Sequence, residues 1–496
     1  MGSEQGSEDQ CFKEPLLEEK EEKGYYENCP GCKMEQQKHL QRGVPIKMLI
    51  TLWTIVFCTA LPISSIFPFL YFMIRDFHVA ETEEDIGCYA GYVGSAFMLG
   101  RAATSLFWGL IADRYGRKPV IIFSTISVVI FNTLFGFSSN FWMAIISRFL
   151  LGSLNGLLGP IKAYAAEVFP KQYQSLGLST VSTASGIGLI IGPAIGGFLA
   201  QPAEKYPSLF SGNSLFGRFP YLLPCLCISV LAFIVTVFTF CLPETMHRHD
   251  STDPSSGHHS YKALEAASQV ASEENISTSK KSILRNWPLM SSIIVYCVFS
   301  LQEMAYTQIF SLWSESPRRL GGLNYSSDDV AMVLAISGSS VLIFHLFVYP
   351  FVERTVGSVV VSRLAGIVAI LVLTSHPYIA MLSGSILTYA LNCVSLLMNI
   401  LMVSIVTGLV ILQNNAVDQD QRGVANGIAM TAMSVFKALG PAGAGTLFSW
   451  SEKRQDATFL PGNQMTFFAL NVINGMGVLL TFKPFLVERY TYQAKL

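Results

Sequence analysis

Apolar stretches long enough to cross a bilayer recur along almost the whole chain, separated by short polar turns. A hydrocarbon core of about 30 Å calls for roughly 20 residues of apolar helix. Twelve windows meet that length: 48–74, 89–112, 119–137, 141–164, 179–200 and 220–242, then 287–312, 330–351, 358–375, 379–412, 424–449 and 464–486. Hydrophobic residues make up 51% of the 496 and charged residues only 14%, so water is not the main solvent of this chain. The pattern predicts an all-α membrane protein. It divides into a tail (1–46), a six-helix bundle (47–242), a polar linker (243–286), a second bundle (287–486) and a short tail (487–496).

The linker is rich in Ser, His, Glu and Lys and cannot bury enough apolar surface to fold alone. Of the 33 Lys and Arg residues, this topology puts 22 on the side of the tails and linker, 7 opposite and 4 inside helices. Cytoplasmic loops hold the excess of basic residues, so the linker and both termini are expected in the cytosol. The first 45 residues lack the apolar core of a signal peptide, which leaves insertion to the first helix. A net charge of −1 with no basic stripe argues against nucleic acid as a partner. The ten scattered cysteines imply no disulfide framework.

The two halves echo each other: Asp113-Arg114-Tyr115-Gly116 is answered by Glu353-Arg354-Thr355-Val356-Gly357, and Gly192-Pro193 by Gly440-Pro441. Parallel repeats about an axis along the membrane normal build a central cavity that opens to either side, which favours a transporter over a receptor. Gly109-Leu-Ile-Ala-Asp113-Arg114-Tyr-Gly116-Arg117-Lys118-Pro119, between the second and third helices, resembles the signature loop of the major facilitator superfamily. Its glycines allow a tight turn, and an acid beside several bases latches helix ends. The expected role is gating, with a simple basic anchor as the alternative. In the fourth helix, Arg148, Gly152, Asn155 and Gly156 fall on one stripe and resemble the superfamily's proton-linked motif. Gly188 to Gly197, with Gly192 and Pro193, resembles the motif of its antiporter branch, although Ser179 stands where an earlier glycine is expected. Close helix packing alone also explains that run.

Charges inside apolar spans are costly and by default functional. Four stand out: Arg101 in the second helix, Arg148 in the fourth, Glu303 in the seventh and Lys437 in the eleventh. Three cations suit a carboxylate-bearing substrate bound by Arg101 and Lys437, with Asn155, Tyr164 and Asn392 as polar partners. Glu303, with Arg148 and His345, would carry the coupled proton; pairing of Glu303 with a cation to fix helix register is the competing reading. Lys162 ranks lower, being near enough to the helix end to snorkel. Cys29-Pro30-Gly31-Cys32 has the spacing of a zinc or redox pair but supplies half a tetrahedral shell, which His247 and His249 would complete as weak zinc ligands. No nucleophile elbow, metal triad or phosphate loop points to an enzyme.

Taken together, Cys29-Pro-Gly-Cys32, the Trp108 to Pro119 loop, Pro243-Glu-Thr-Met-His247-Arg-His249, Gly423-Val-Ala-Asn-Gly427 and Phe436-Lys-Ala-Leu-Gly-Pro441 resemble the plant zinc-induced facilitator family over nearly the whole chain. The resemblance implies the major facilitator fold and proton-driven antiport at the vacuolar membrane or, second, the plasma membrane. It also implies a nicotianamine or phytosiderophore type of chelator as substrate and a role in zinc and iron distribution. A potassium or auxin-related carrier is the alternative, and a metal-sensing scaffold the alternative of another class. The proton gradient would supply the energy without a cofactor, lipid and small molecules would be the partners, and a monomer would suffice. Glu14-Pro15-Leu16-Leu17 resembles an acidic dileucine sorting signal and points to the tonoplast.

Overall fold

The computed structural model describes residues 29–40, 43, 45–170, 173–245, 283, 285–417 and 422–487. His247, His249 and the Glu14 to Leu17 signal lie outside them. A short helix α1 (Pro30–Leu40) precedes the spans.

The first window divides into α2 (Ile46–Ser64) and α3 (Leu70–Asp76). Pro68 lacks an N–H and disfavours helix at the residue before it, so the turn between them follows from the sequence. The second and third spans are α4 (Ile86–Tyr115) and α5 (Arg117–Gly136). The fourth is α6 (Phe141–Leu154) and α7 (Leu158–Val168), and the fifth and sixth are α8 (Gln174–Leu199) and α9 (Leu222–Thr239). The second half begins with α10 (Trp287–Glu315). Its eighth span is α11 (Ser327–Ile343), a π-helical turn over Phe344–Val348 and α12 (Tyr349–Val356). The set closes with α13 (Ser358–Ile379), α14 (Gly384–Asn415), α15 (Arg422–Glu452) and α16 (Asn463–Leu480). Each predicted window therefore holds helix.

Among the described residues, eight spans are long and apolar enough to cross a membrane unaided, and Glu83–Ser105 with Phe107–Tyr115, bent by 48° within α4, makes a ninth. The α15 and α16 spans carry too much Gly, Ala, Ser and Asn to pass on hydropathy, and α11 has only 17 residues before the π turn; α11 and α15 pack between the halves. Leu110, Trp142, Phe347, Leu371, Met381 and Tyr389 are each at least 69% exposed, an apolar surface that only lipid covers comfortably.

The repeat is visible in the packing. Helix α2 packs on α8, α4 on α6 and α5 on α9; in the second half α10 packs on α15, α11 on α14 and α13 on α16, which are the same pairs six spans later. The halves meet through α4 with α15 and α8 with α11, a pair that exchanges under the same two-fold relation. These contacts lie at the face opposite the linker, here called the far face. Cβ atoms added at Gly87 and Gly91 of α4 would strike α15, and one at Gly197 of α8 would strike α11. Cys88 N–H donates to Ser449 Oγ at 2.8 Å, and Lys453 pairs with Asp85 at 2.5 Å, Arg319 with Glu83 and Lys205 with Asp328. At the linker face, by contrast, a Cβ at Gly109, Gly159 or Gly427 would meet nothing within 4 Å. The far face is sealed in this conformation, and the linker ends of these helices stand apart.

Candidate functional site

Two groups of predicted residues come together at different depths. In the middle of the bundle, Lys437 of α15 pairs with Glu303 of α10 at 2.8 Å, their side chains 20% and 32% exposed. Arg101 of α4 has no ion-pair partner among the described residues. It lies within electrostatic reach of Tyr296, which also feels Glu303 and donates its hydroxyl to Met433 Sδ at 3.0 Å. Lys162 of α7 is likewise within reach of Arg101. The group thus spans both halves: Arg101 and Lys162 from one, Tyr296, Glu303 and Lys437 from the other. Cations outnumber the acid, and the acid already neutralises one of them.

Lys162 and Tyr296 were not among the residues the sequence pattern favoured. Lys162 enters because the fourth span breaks at Asn155, whose backbone leaves the helix at φ −88°, ψ 72°, and resumes at Leu158. That break also corrects the single-stripe reading of Arg148, Gly152, Asn155 and Gly156. Gly152 packs on the Phe97 backbone, and Gly156 lies against the Trp108 indole, which donates to Ser153 O at 2.7 Å.

Arg148 is placed elsewhere too. It is 1% exposed and donates from Nη1 to the Pro62 carbonyl at 2.7 Å, between the rings of Phe97 and Phe135 at 5.0 and 5.4 Å. The carbonyl is available because α2 ends at Ser64. Arg148 therefore ties the first four spans together, and its partners are a backbone oxygen and two aromatic faces.

The signature loop forms the second group. Helix α4 ends at Gly116, whose φ of +111° suits glycine; a Cβ there would also meet the Glu244 carboxylate, with Oε1 at 3.0 Å. Glu244 instead accepts the backbone N–H groups of Arg117 and Lys118 at 3.1 and 3.2 Å, an anion on the N-terminus of α5. Arg117 pairs with Asp113 at 2.6 Å and Glu167 at 3.1 Å, and Thr245 donates to Glu167 at 2.6 Å. Tyr164, expected in the cavity, is fully buried and donates its hydroxyl to the Pro243 carbonyl at 2.9 Å, so it secures the start of the linker. Arg114 stacks on Tyr115 at 5.7 Å. The second half repeats the design more weakly: Gly357 has φ +85°, Glu353 accepts from Ser358 at 2.7 Å, and Arg354 is exposed.

The sequence profile of the Major Facilitator Superfamily matches residues 52–441. Among curated proteins, the Arabidopsis thaliana protein Zinc Induced Facilitator-like 1 is 62% identical over 94% of this chain and 97% of its own length. Zinc Induced Facilitator 1 of the same plant is 60% identical over 96% and 98%. The chain belongs to the zinc-induced facilitator family of the major facilitator superfamily. A third Arabidopsis relative, 56% identical over 93% and 97%, is named a probable peptide/nitrate transporter. A solved bacterial homologue of the lysosomal transporter Spinster, inward-facing and occupied, shares the fold at TM-score 0.66, with 14% identity over 89% of this chain and 97% of that one. The facilitator is thus a multi-pass membrane transporter.

The remaining predicted residues stand apart from both groups. His345 sits in the π turn and joins Thr407 of α14 at 2.8 Å, its ring tilted by 32° against Tyr349 with centroids 4.8 Å apart. Asn392 donates to the Thr388 carbonyl of its own helix at 2.8 Å. Gly192 packs against Ser64 and Ser65 of the first span, where Pro193 continues within α8. Cys29 and Cys32 are buried at the start of α1. That helix rests on the loop group: Gly31, Met34, Glu35 and Lys38 share a cavity of about 330 Å³ with Asp113, Arg117, Glu167 and Thr245. Burial depresses the Lys38 ammonium, while Glu35 and Glu167 pull it back. Among the described residues no three His, Cys, Asp or Glu side chains are placed to hold a metal.

Proposed function

We propose that this facilitator is a proton-coupled antiporter that moves a zwitterionic, carboxylate-bearing metal chelator of the nicotianamine or phytosiderophore type out of the cytosol. The observation that carries the reading is the cationic group around a single ion pair: Arg101 without an acid partner among the described residues, beside Lys437 held by Glu303 at 2.8 Å. An aminocarboxylate fits by exchanging pairs. Its ammonium takes Glu303, and its carboxylates take the released Lys437 and Arg101. A proton on Glu303 removes the anion that the ammonium needs, so proton and substrate compete for one carboxylate. Competition for a site that faces either side in turn is the requirement for exchange. Tyr296 and Lys162 border the group and orient the carboxylates.

Sealing at the far face and separation at the linker face describe the state that loads from the linker side. With the linker in the cytosol, as the basic residues favour, loading is from the cytosol and release is to the vacuole, or across the plasma membrane as the second choice. The monomer holds the complete site.

Uptake of labelled nicotianamine into proteoliposomes, with and without an imposed pH gradient, tests this. Gradient-dependent uptake that Arg101→Ala removes supports it. Potassium flux in place of nicotianamine uptake refutes the substrate and favours a cation carrier.

A second reading concerns metal control. Gly31, within the cysteine pair, and Thr245, two residues before His247, line one cavity on the signature loop. Weak zinc binding by Cys29 and Cys32 with His247 and His249 would couple cytosolic zinc to the gate.

A further inference from the structure

The far-face seal contains two carboxyl groups that no ion pair among the described residues uses. Glu315 closes α10 and Glu452 closes α15; they are 3% and 1% exposed. They sit together, since the hydroxyl of Ser316, the next residue after Glu315, donates to Glu452 Oε1, and Tyr71 of α3 lies within electrostatic reach of both. No hydrogen bond of good geometry reaches either oxygen of Glu315, or Oε2 of Glu452, among the described residues, while the Tyr71 backbone N–H and the Ser311 hydroxyl lie close to Glu315. The nearby Ser311 hydroxyl donates instead to the Phe67 carbonyl.

The charged groups around them explain why no counter-ion reaches in. Arg75 pairs with Asp76 at 3.4 Å, Lys205 with Asp328, Arg319 with Glu83, and Lys453 with Asp85 at 2.5 Å. Asp76 also accepts from Tyr221 at 2.5 Å. Arg75, Lys205, Arg319 and Lys453 are thus each matched to another acid, and Arg454 lies over the Trp450 ring. Glu83 and Glu84 press on Glu452 from the other half, with Arg319 acting against them. An ionised carboxylate shut away from water, with few donors and no counter-ion of its own, is costly to bury, and a proton cancels that cost.

We propose that Glu315 and Glu452 form a second proton-binding site, sealed inside the far-face gate and separate from Glu303. Closing the gate takes up one proton on each carboxyl group. When α4 parts from α15, water reaches the oxygens, both ionise, and the protons pass to the far compartment. Acid on that side therefore holds the gate shut, and alkali favours opening. The exposed rim pairs do not share this behaviour: Asp85 holds the Lys453 ammonium above its ordinary value, so it stays charged throughout pH 5–8.

The test is a distance measurement without substrate, so it does not depend on which solute crosses or how it is coupled. Spin labels replace the exposed far-face residues Glu81 and Asp456 of the full chain in lipid nanodiscs, in a background stripped of reactive native cysteines. The ratio of open to closed gate should rise by at least about tenfold from pH 5 to pH 8, since each released proton contributes up to tenfold per pH unit. Glu315→Gln with Glu452→Gln should stay closed and lose that dependence, and each single variant should halve its logarithmic slope. Asp85→Asn should keep the slope. A gate population that ignores pH in the parent, or still follows it in the double variant, overturns the proposal. So does a gate that follows potassium or zinc at fixed pH, which would make the pair a metal-cation site.

Discussion

Gly91→Ala should open the far face. A methyl group at this position in α4 would press on the Pro441 carbonyl oxygen and come within 3.1 Å of Gly445 Cα and 3.3 Å of Ala442 Cα. All three are backbone atoms of α15 and cannot rotate aside, so the helices must part by roughly 1 Å to restore ordinary carbon contacts. Overpacking of this kind costs about 1–3 kcal/mol. The cost exists only while the far face is shut, because the helix itself persists in both states. It therefore appears in full in the gate equilibrium, as a rise of about 5- to 150-fold in the ratio of open to closed. Labels at Glu81 and Asp456 with pulsed dipolar spectroscopy report that ratio. Gly427→Ala is the matched control, since a Cβ there meets nothing within 4 Å and the far-face distance should not change. If Gly91→Ala folds and keeps the parent distribution, the α4 to α15 contact is not what seals the far face, and the reasoning fails.

Other perturbations address the two groups near the cavity and the latch. Glu244→Gln removes the charge from the N-terminus of α5 and should weaken the folded state by about 1–2 kcal/mol, read as a lower thermal midpoint in detergent. Gly116→Ala should cost at least as much, because it adds strain at φ +111° and crowds the same carboxylate. Arg101→Ala should reduce nicotianamine uptake by about tenfold or more, with Arg101→Lys recovering part of it, as one charge-assisted contact is worth about 1.5–3 kcal/mol. Glu303→Gln should leave whatever exchange remains insensitive to an imposed pH gradient, measured as counterflow. Cys29→Ser with Cys32→Ser should lower zinc bound per chain in elemental analysis of the purified protein, while gradient-driven uptake at trace zinc persists.

How much of this was readable beforehand depends on which force fixes each feature. Helical periodicity and apolar length located every span, because burial in hydrocarbon leaves the backbone no alternative to internal hydrogen bonding. Gly116 and Gly357 announced the paired turns, since only glycine sits easily at φ +111° and +85°. The break at Asn155 and the π turn at Phe344–Val348 leave the apolar pattern around them undisturbed, so hydropathy alone shows neither. The cost of missing that break was specific: Lys162 was read as a snorkelling residue when the resumed helix brings it toward Arg101. The breakers Asn155-Gly156 and Pro160 were the signal that would have found it.

Arg148 and Glu303 carry the same lesson in opposite directions. A charge within an apolar span signals that something compensates it, but sequence does not say whether the compensation is another side chain, a backbone oxygen or a ligand. For Glu303 it is Lys437, a partner that substrate or proton would replace in the proposed exchange. For Arg148 it is the Pro62 carbonyl, released by the end of α2 three spans earlier in the chain and invisible in the local pattern. That bond cannot exchange with solute, because Phe97 and Phe135 close over the guanidinium. An exchangeable partner, rather than charge alone, is therefore what separates a transport residue from a structural one. By that criterion the Arg101, Glu303 and Lys437 group is where the proposed exchange would take place.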